Sequence, residues 1–82
     1  MSNYLKADGF DAAIIGIDMN NERVVYDKTL MIEILMEDEQ LTEEDAIDFL
    51  AYNVWGAYVG ENTPLYIDSM TNEEFEDIIG SI

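Results

Sequence analysis

Seven carboxylates crowd residues 37–48 (EDEQLTEEDAID) with no base among them, and four more fill residues 73–77 (EEFED). Carboxylates so placed could share protons in acid–base catalysis, hold a divalent cation, or present charge to a cationic partner. The first use needs helpers that the chain lacks. Histidine and cysteine are both absent, which removes the commonest general base and the thiol nucleophile. Ser2, Ser69 and Ser81 have no activating partner in sequence, and Ser–Lys chemistry would require Lys6 or Lys28 buried beside one of them. Paired carboxylates can hydrolyse glycosides, but 82 residues furnish little cleft for a sugar chain. Asp18, Asn20 and Glu22 have the alternating oxygen spacing of a calcium loop. The glycine and distal glutamate of an EF-hand are missing, so the triplet reads as a hairpin turn. The expectation is a non-enzymatic chain with no cofactor and no dedicated metal site.

That leaves the charge itself. Nineteen acids face only Lys6, Arg23 and Lys28, for a net charge of −16. Anionic lipid and nucleic acid would both be repelled, so neither is expected as a direct partner. A basic protein surface would be attracted, with fast and salt-sensitive association. Duplex DNA carries one charge per about 1.7 Å, so sixteen charges match a span of roughly 27 Å. Such a surface can mimic nucleic acid if its acids line one side. The expected contacts are Glu37, Asp38, Glu39, Glu43, Glu44, Asp45 and Asp48, followed by Glu73, Glu74, Glu76 and Asp77. A plainer reading stands beside this one. Both clusters lie at predicted helix N-termini or in the loop before one, and acids are favoured in a first helical turn because the macrodipole is positive there.

The chain is acidic but not built like a disordered tail. Leu, Ile, Val and Phe make up 23 of 82 residues, above the roughly 20% below which acidic chains stay unfolded. Residues 1–82 are expected to form one domain with a modest core. There is no disulfide framework to staple it. The start, MSNYLKADGF, lacks the pattern of a signal peptide, and the longest apolar stretch, Leu30 to Met36, is too short to span a bilayer. A soluble, cytoplasmic protein is expected.

Periodicity supplies the elements that must carry the acids. Ala12 to Ile17 is a continuous apolar run, which predicts a strand buried on both faces; Gly16 marks a bulge or a close helix approach. Asn20-Asn21 makes a tight turn, and Arg23 to Tyr26 completes a hairpin. Asp27 can cap a helix that is apolar nearly all round, from Leu30 to Met36, and ends in the acidic run Glu37-Asp38-Glu39; such a helix is deeply buried or lies in an interface. Thr42 and Asp45 resemble a capping box for a helix from about Glu43 to Trp55, ended by Gly56 and Gly60. Pro64 to Ile67 predicts a third strand. Thr71 with Glu74 forms a second capping box, Met70 and Phe75 take the positions of a hydrophobic staple, and Phe75, Ile78, Ile79 and Ile82 share one helical face. The expected fold is α+β, in the order β-β-α-α-β-α. Its three-stranded antiparallel sheet (order 2-1-3) is packed by two or three helices. The glycine- and aromatic-rich stretch from Tyr52 to Pro64 reads as a packed helix end, or else as an aromatic anchor for a partner.

The stretches Asp8-Gly9-Phe10-Asp11, Ala13-Ile14-Ile15-Gly16, Val25-Tyr26-Asp27 and Glu43-Glu44-Asp45-Ala46-Ile47, with Asn53 and Gly56-Ala57-Tyr58-Val59-Gly60-Glu61 through Thr63-Pro64, resemble a group of small acidic proteins of tailed bacteriophages. The resemblance covers roughly residues 8–67. It implies expression in an infected bacterium but carries over no catalytic or binding residue. Small acidic phage proteins often inhibit host enzymes that handle nucleic acid, so by association it points to a basic host or phage protein as partner. The rival expectation is a self-associating accessory protein, a homodimer built through Ile32 and Met36, whose acidity serves only solubility.

Overall fold

Asp18 makes the first reversal of the chain. Its carboxylate accepts the Asn21 backbone N–H at 3.3 Å and the Asn21 side-chain amide at 2.9 Å. Strand β1 (Ile14–Asp18) thereby turns into an antiparallel β2 (Arg23–Asp27). The left-handed residue of the turn is Glu22, with φ of 52°, and not either asparagine. Asn62 holds this conformation by donating to the carbonyls of Asn21 and Glu22. The oxygen triplet Asp18, Asn20 and Glu22 is thus part of a hairpin stitched by amides.

The computed structural model describes residues 3–80; Ser2, Ser81 and Ile82 lie outside the described residues. A short 3-10 turn (Asp11–Ala13) leads into β1 and β2. Helix α1 (Lys28–Asp38) and helix α2 (Glu43–Leu50) follow, and α2 runs on as a π-helical turn (Ala51–Trp55). Strand β3 (Leu65–Ile67) and helix α3 (Asn72–Gly80) complete the order. The fold is α+β, as the alternation of patterns predicts.

The sheet corrects two expectations. Its order is β1-β2-β3, not 2-1-3, and it is mixed, because β3 runs parallel to β2. Adjacent parallel strands need a long crossover, and α1, α2 and the π turn supply it. The central strand is β2, where Val24, Tyr26 and Asp27 are buried. Strand β1 is an edge, with Ile15 and Ile17 about half exposed (48% and 57%). Ala12 and Ala13 belong to the 3-10 turn, so the apolar run is broken before it can make a central strand. The pairing register shifts between Ile14 and Gly16, the bulge that the glycine foreshadowed.

The core lies between β2 and the two middle helices. Phe10, Ala13, Val24, Tyr26, Met31, Leu35, Ala46 and Leu50 form it, with Leu30, Ile32 and Ile34 packed alongside. Asp27 joins the layers. One carboxylate oxygen accepts the Thr29 and Leu30 N–H groups at the start of α1, and the other accepts the Ser69 hydroxyl at 2.7 Å. Those bonds, the Ser69 hydroxyl foremost, hold the Asp27 pKa below the ordinary carboxylate value despite burial. A depressed pKa stabilises the fold fully above the unfolded value and loses that contribution as pH falls through the lowered one. Asp27→Asn should therefore cost about 1–2 kcal/mol near neutrality. Urea denaturation at stepped pH should show the gap to the parent closing below about pH 4.

The start of helix α3 is set by a local signal. Glu74 N–H donates to Thr71 Oγ1 at 3.1 Å, while Thr71 N–H donates to Glu74 Oε1 at 3.3 Å. The predicted capping box is present in full. None of the residues of α3 is buried.

Candidate docking surface

The C-terminal end of helix α1 is charged against the helix dipole. The backbone amides make its N-terminus positive and its C-terminus negative. At the positive end the Asp27 carboxylate caps the first N–H groups, and Lys28 is the first helical residue. Glu37 and Asp38 occupy its last turn, with Glu39 as the C-cap and no base nearby in the turn. The acids of residues 37–48 thus fall on two helix ends of opposite polarity. Glu43, Glu44 and Asp45 do fill the first turn of α2, where the dipole favours them. Glu37, Asp38 and Glu39 stand where it opposes them. One of the last carbonyls of α1, that of Glu37, accepts the Gln40 side-chain amide at 2.9 Å.

All seven acids between Glu37 and Asp48 are exposed, and so are Glu73, Glu74, Glu76 and Asp77. On α2, Glu44, Asp45 and Asp48 project opposite the buried Ala46 and Leu50, given about 100° per residue. Glu44 and Asp48 are an i, i+4 pair of like sign, as are Glu33 and Glu37, and Glu73 and Asp77. Such pairs destabilise a helix.

The three cations are committed elsewhere. Lys6 pairs with Asp11 at 3.0 Å. Lys28 lies 3.8 Å from Asp68 and 4.7 Å from the centre of the Trp55 ring. The Arg23 guanidinium donates to the Thr63 carbonyl. None of these contacts is to an acid of residues 37–48 or to Glu73, Glu74 or Glu76. This distribution is invisible in a linear sequence, where any base could fold onto any acid.

The remaining candidates fall out as follows. Ile32 packs against the core, while Met36 is 36% exposed on the outer side of α1. Ser69 spends its hydroxyl on Asp27. Among the described residues, no group of three acids is arranged to hold a metal ion, and no helix is long and apolar enough to cross a membrane. The aromatic stretch divides in two. Trp55 and Val54 pack on the core, whereas Tyr52 and Tyr58 stand out in solvent at 89% and 78% exposure. Phe75, Ile78 and Ile79 lie on α3 at the spacing that puts them on one apolar face, and Ile82 lies outside the described residues. Phe75, Ile78 and Ile79 are about half exposed. No family model matches the chain, and neither a curated protein nor a solved structure matches it.

Proposed function

We propose that this is a non-enzymatic acidic binding protein. It docks on a basic, nucleic-acid-binding protein surface and blocks that surface as a nucleic-acid mimic. The observation that carries the reading is the placement of Glu37, Asp38 and Glu39 at the negative end of α1. Helix electrostatics would put bases there. Acids kept at a position that costs stability are better explained by an external cation than by the fold. The like-charge pairs and the internal commitment of all three bases support the same reading. The long dimension of 42 Å can accommodate the roughly 27 Å over which DNA carries sixteen charges. The phage-type stretches between residues 8 and 67 support a setting inside an infected bacterium, with a host or phage protein as target. No cofactor, membrane or direct nucleic-acid contact enters the mechanism. Capture from bacterial lysate at low and high salt tests it. Basic nucleic-acid-binding proteins should be retained at low salt and released at high salt; retention of none at low salt would contradict the proposal.

A second reading has its own support. Met36, Ile47 and Phe49 remain exposed on the helical layer at 36%, 36% and 45%, which favours a homodimer through α1 and α2. Sedimentation over a concentration series separates the two readings. A dimer weakened by Met36→Ser would favour self-association.

A further inference from the structure

We propose that α3 is a docking helix whose apolar stripe, Phe75, Ile78 and Ile79, seats in an apolar groove on a partner protein rimmed by Lys or Arg. The inference rests on the basic-partner reading and adds the element that anchors it. The stripe is 49%, 52% and 48% exposed, and the helix buries no residue against its own fold. A nine-residue helix falls short of the roughly 12–15 residues at which an isolated helix becomes even marginal in water. Its capping box helps it start, but only a covered apolar face would hold it.

The charges beside the stripe identify what covers it. At about 100° per residue, Glu74 lies roughly 40° from Ile78 on one flank, and Glu76 lies roughly 60° from Ile79 on the other. Glu73 and Asp77 fill the opposite side. The stripe is therefore bordered by acid on both flanks. A second copy of this chain would bring acid against acid there, and its bases are held by Asp11, Asp68 and the Thr63 carbonyl. A groove with a cationic rim satisfies both the apolar stripe and its borders. This is the helix-in-groove mode of recognition, with anchors at i, i+3 and i+4.

Three labelled synthetic peptides test this with the full chain at about 50 mM salt, where surface charge is only partly screened. They are an amphipathic Leu–Lys helix, an oligolysine of equal charge, and an amphipathic Leu–Gln helix. The Leu–Lys helix should bind at least about tenfold tighter than either of the others. Phe75→Ser with Ile79→Ser should abolish that preference and leave oligolysine affinity unchanged. Phe75→Leu with Ile79→Leu should keep the preference, which excludes simple loss of the helix. Equal binding of the Leu–Lys helix by the parent and the serine variant would overturn the inference, and so would equal binding of the Leu–Lys and Leu–Gln helices. A parent dimer dissolved by the serine variant would also overturn it, in favour of a second copy. Oligolysine bound without any Leu–Lys preference defeats only the α3 inference. No oligolysine binding at all defeats the basic-partner reading with it.

Discussion

Reversing Glu37, Asp38 and Glu39 together (E37K/D38K/E39K) should weaken binding to a basic partner at low salt by at least about thirtyfold, while raising the melting temperature. The two effects have one cause. The last turn of α1 carries acid where the dipole is negative, so lysines there relieve an internal repulsion and complement the free carbonyls. They also lower the net charge of −16 that opposes compactness. A gain of about 2–5 °C is expected from a change worth well under 1 kcal/mol in a chain of this size. Binding moves the other way because the same side chains are the ones offered to the partner. Calorimetric melting and partner titration on one sample check both signs. A fall in melting temperature would mean that the acids serve the fold after all.

Tyr26→Ala should remove a large share of the fold's stability. Tyr26 is fully buried in the central strand, and its ring stacks on Tyr66 with centroids 5.5 Å apart. Its phenol oxygen accepts the Ala7 N–H at 2.8 Å and so ties the N-terminal segment to β2. Truncating a buried aromatic costs about 3–5 kcal/mol. At about 0.05–0.15 kcal/mol per residue, a chain of this length has a total stability of only about 4–12 kcal/mol. Tyr26→Phe isolates the hydroxyl: it leaves the ring in place and strands the Ala7 N–H, for about 1–2 kcal/mol. Urea unfolding should rank parent, phenylalanine and alanine in that order. A Tyr26→Ala protein as stable as the parent would mean that the core lies elsewhere.

Local chemistry was legible in the sequence wherever a side chain acts on its own backbone. Asp27 and Thr42 cap α1 and α2 as their types predict, and the Thr71–Glu74 box closes as its spacing predicts. Gly16 announced the bulge in β1. Long-range order was not legible. The uninterrupted run Ala12 to Ile17 read as the central strand because hydrophobicity was taken for burial. Burial went instead to the shorter Arg23–Asp27 strand, which is flanked on both sides. The direction of β3 depended on how two helices route the chain, and no local pattern encodes that. For the surface, the sequence located the acids and ended the first helix at Glu37, Asp38 and Glu39, as the structure does; it did not show which acids the bases would reach. The three bases could have neutralised any acid; only the fold shows that they hold Asp11, Asp68, Trp55 and Thr63.

The central claim is that position, not number, gives the acids their purpose. Two triple variants compare these directly: E37K/D38K/E39K, and a control reversing the exposed Asp8, Glu61 and Asp68. Both carry the same net charge. Each is titrated against the basic protein captured at low salt, over a series of salt concentrations. Docking through the end of α1 requires that the first lose most of its affinity and most of its salt dependence, while the control stays within about threefold of the parent. Equal losses in the two variants would contradict it and leave the acids as a solubility coat.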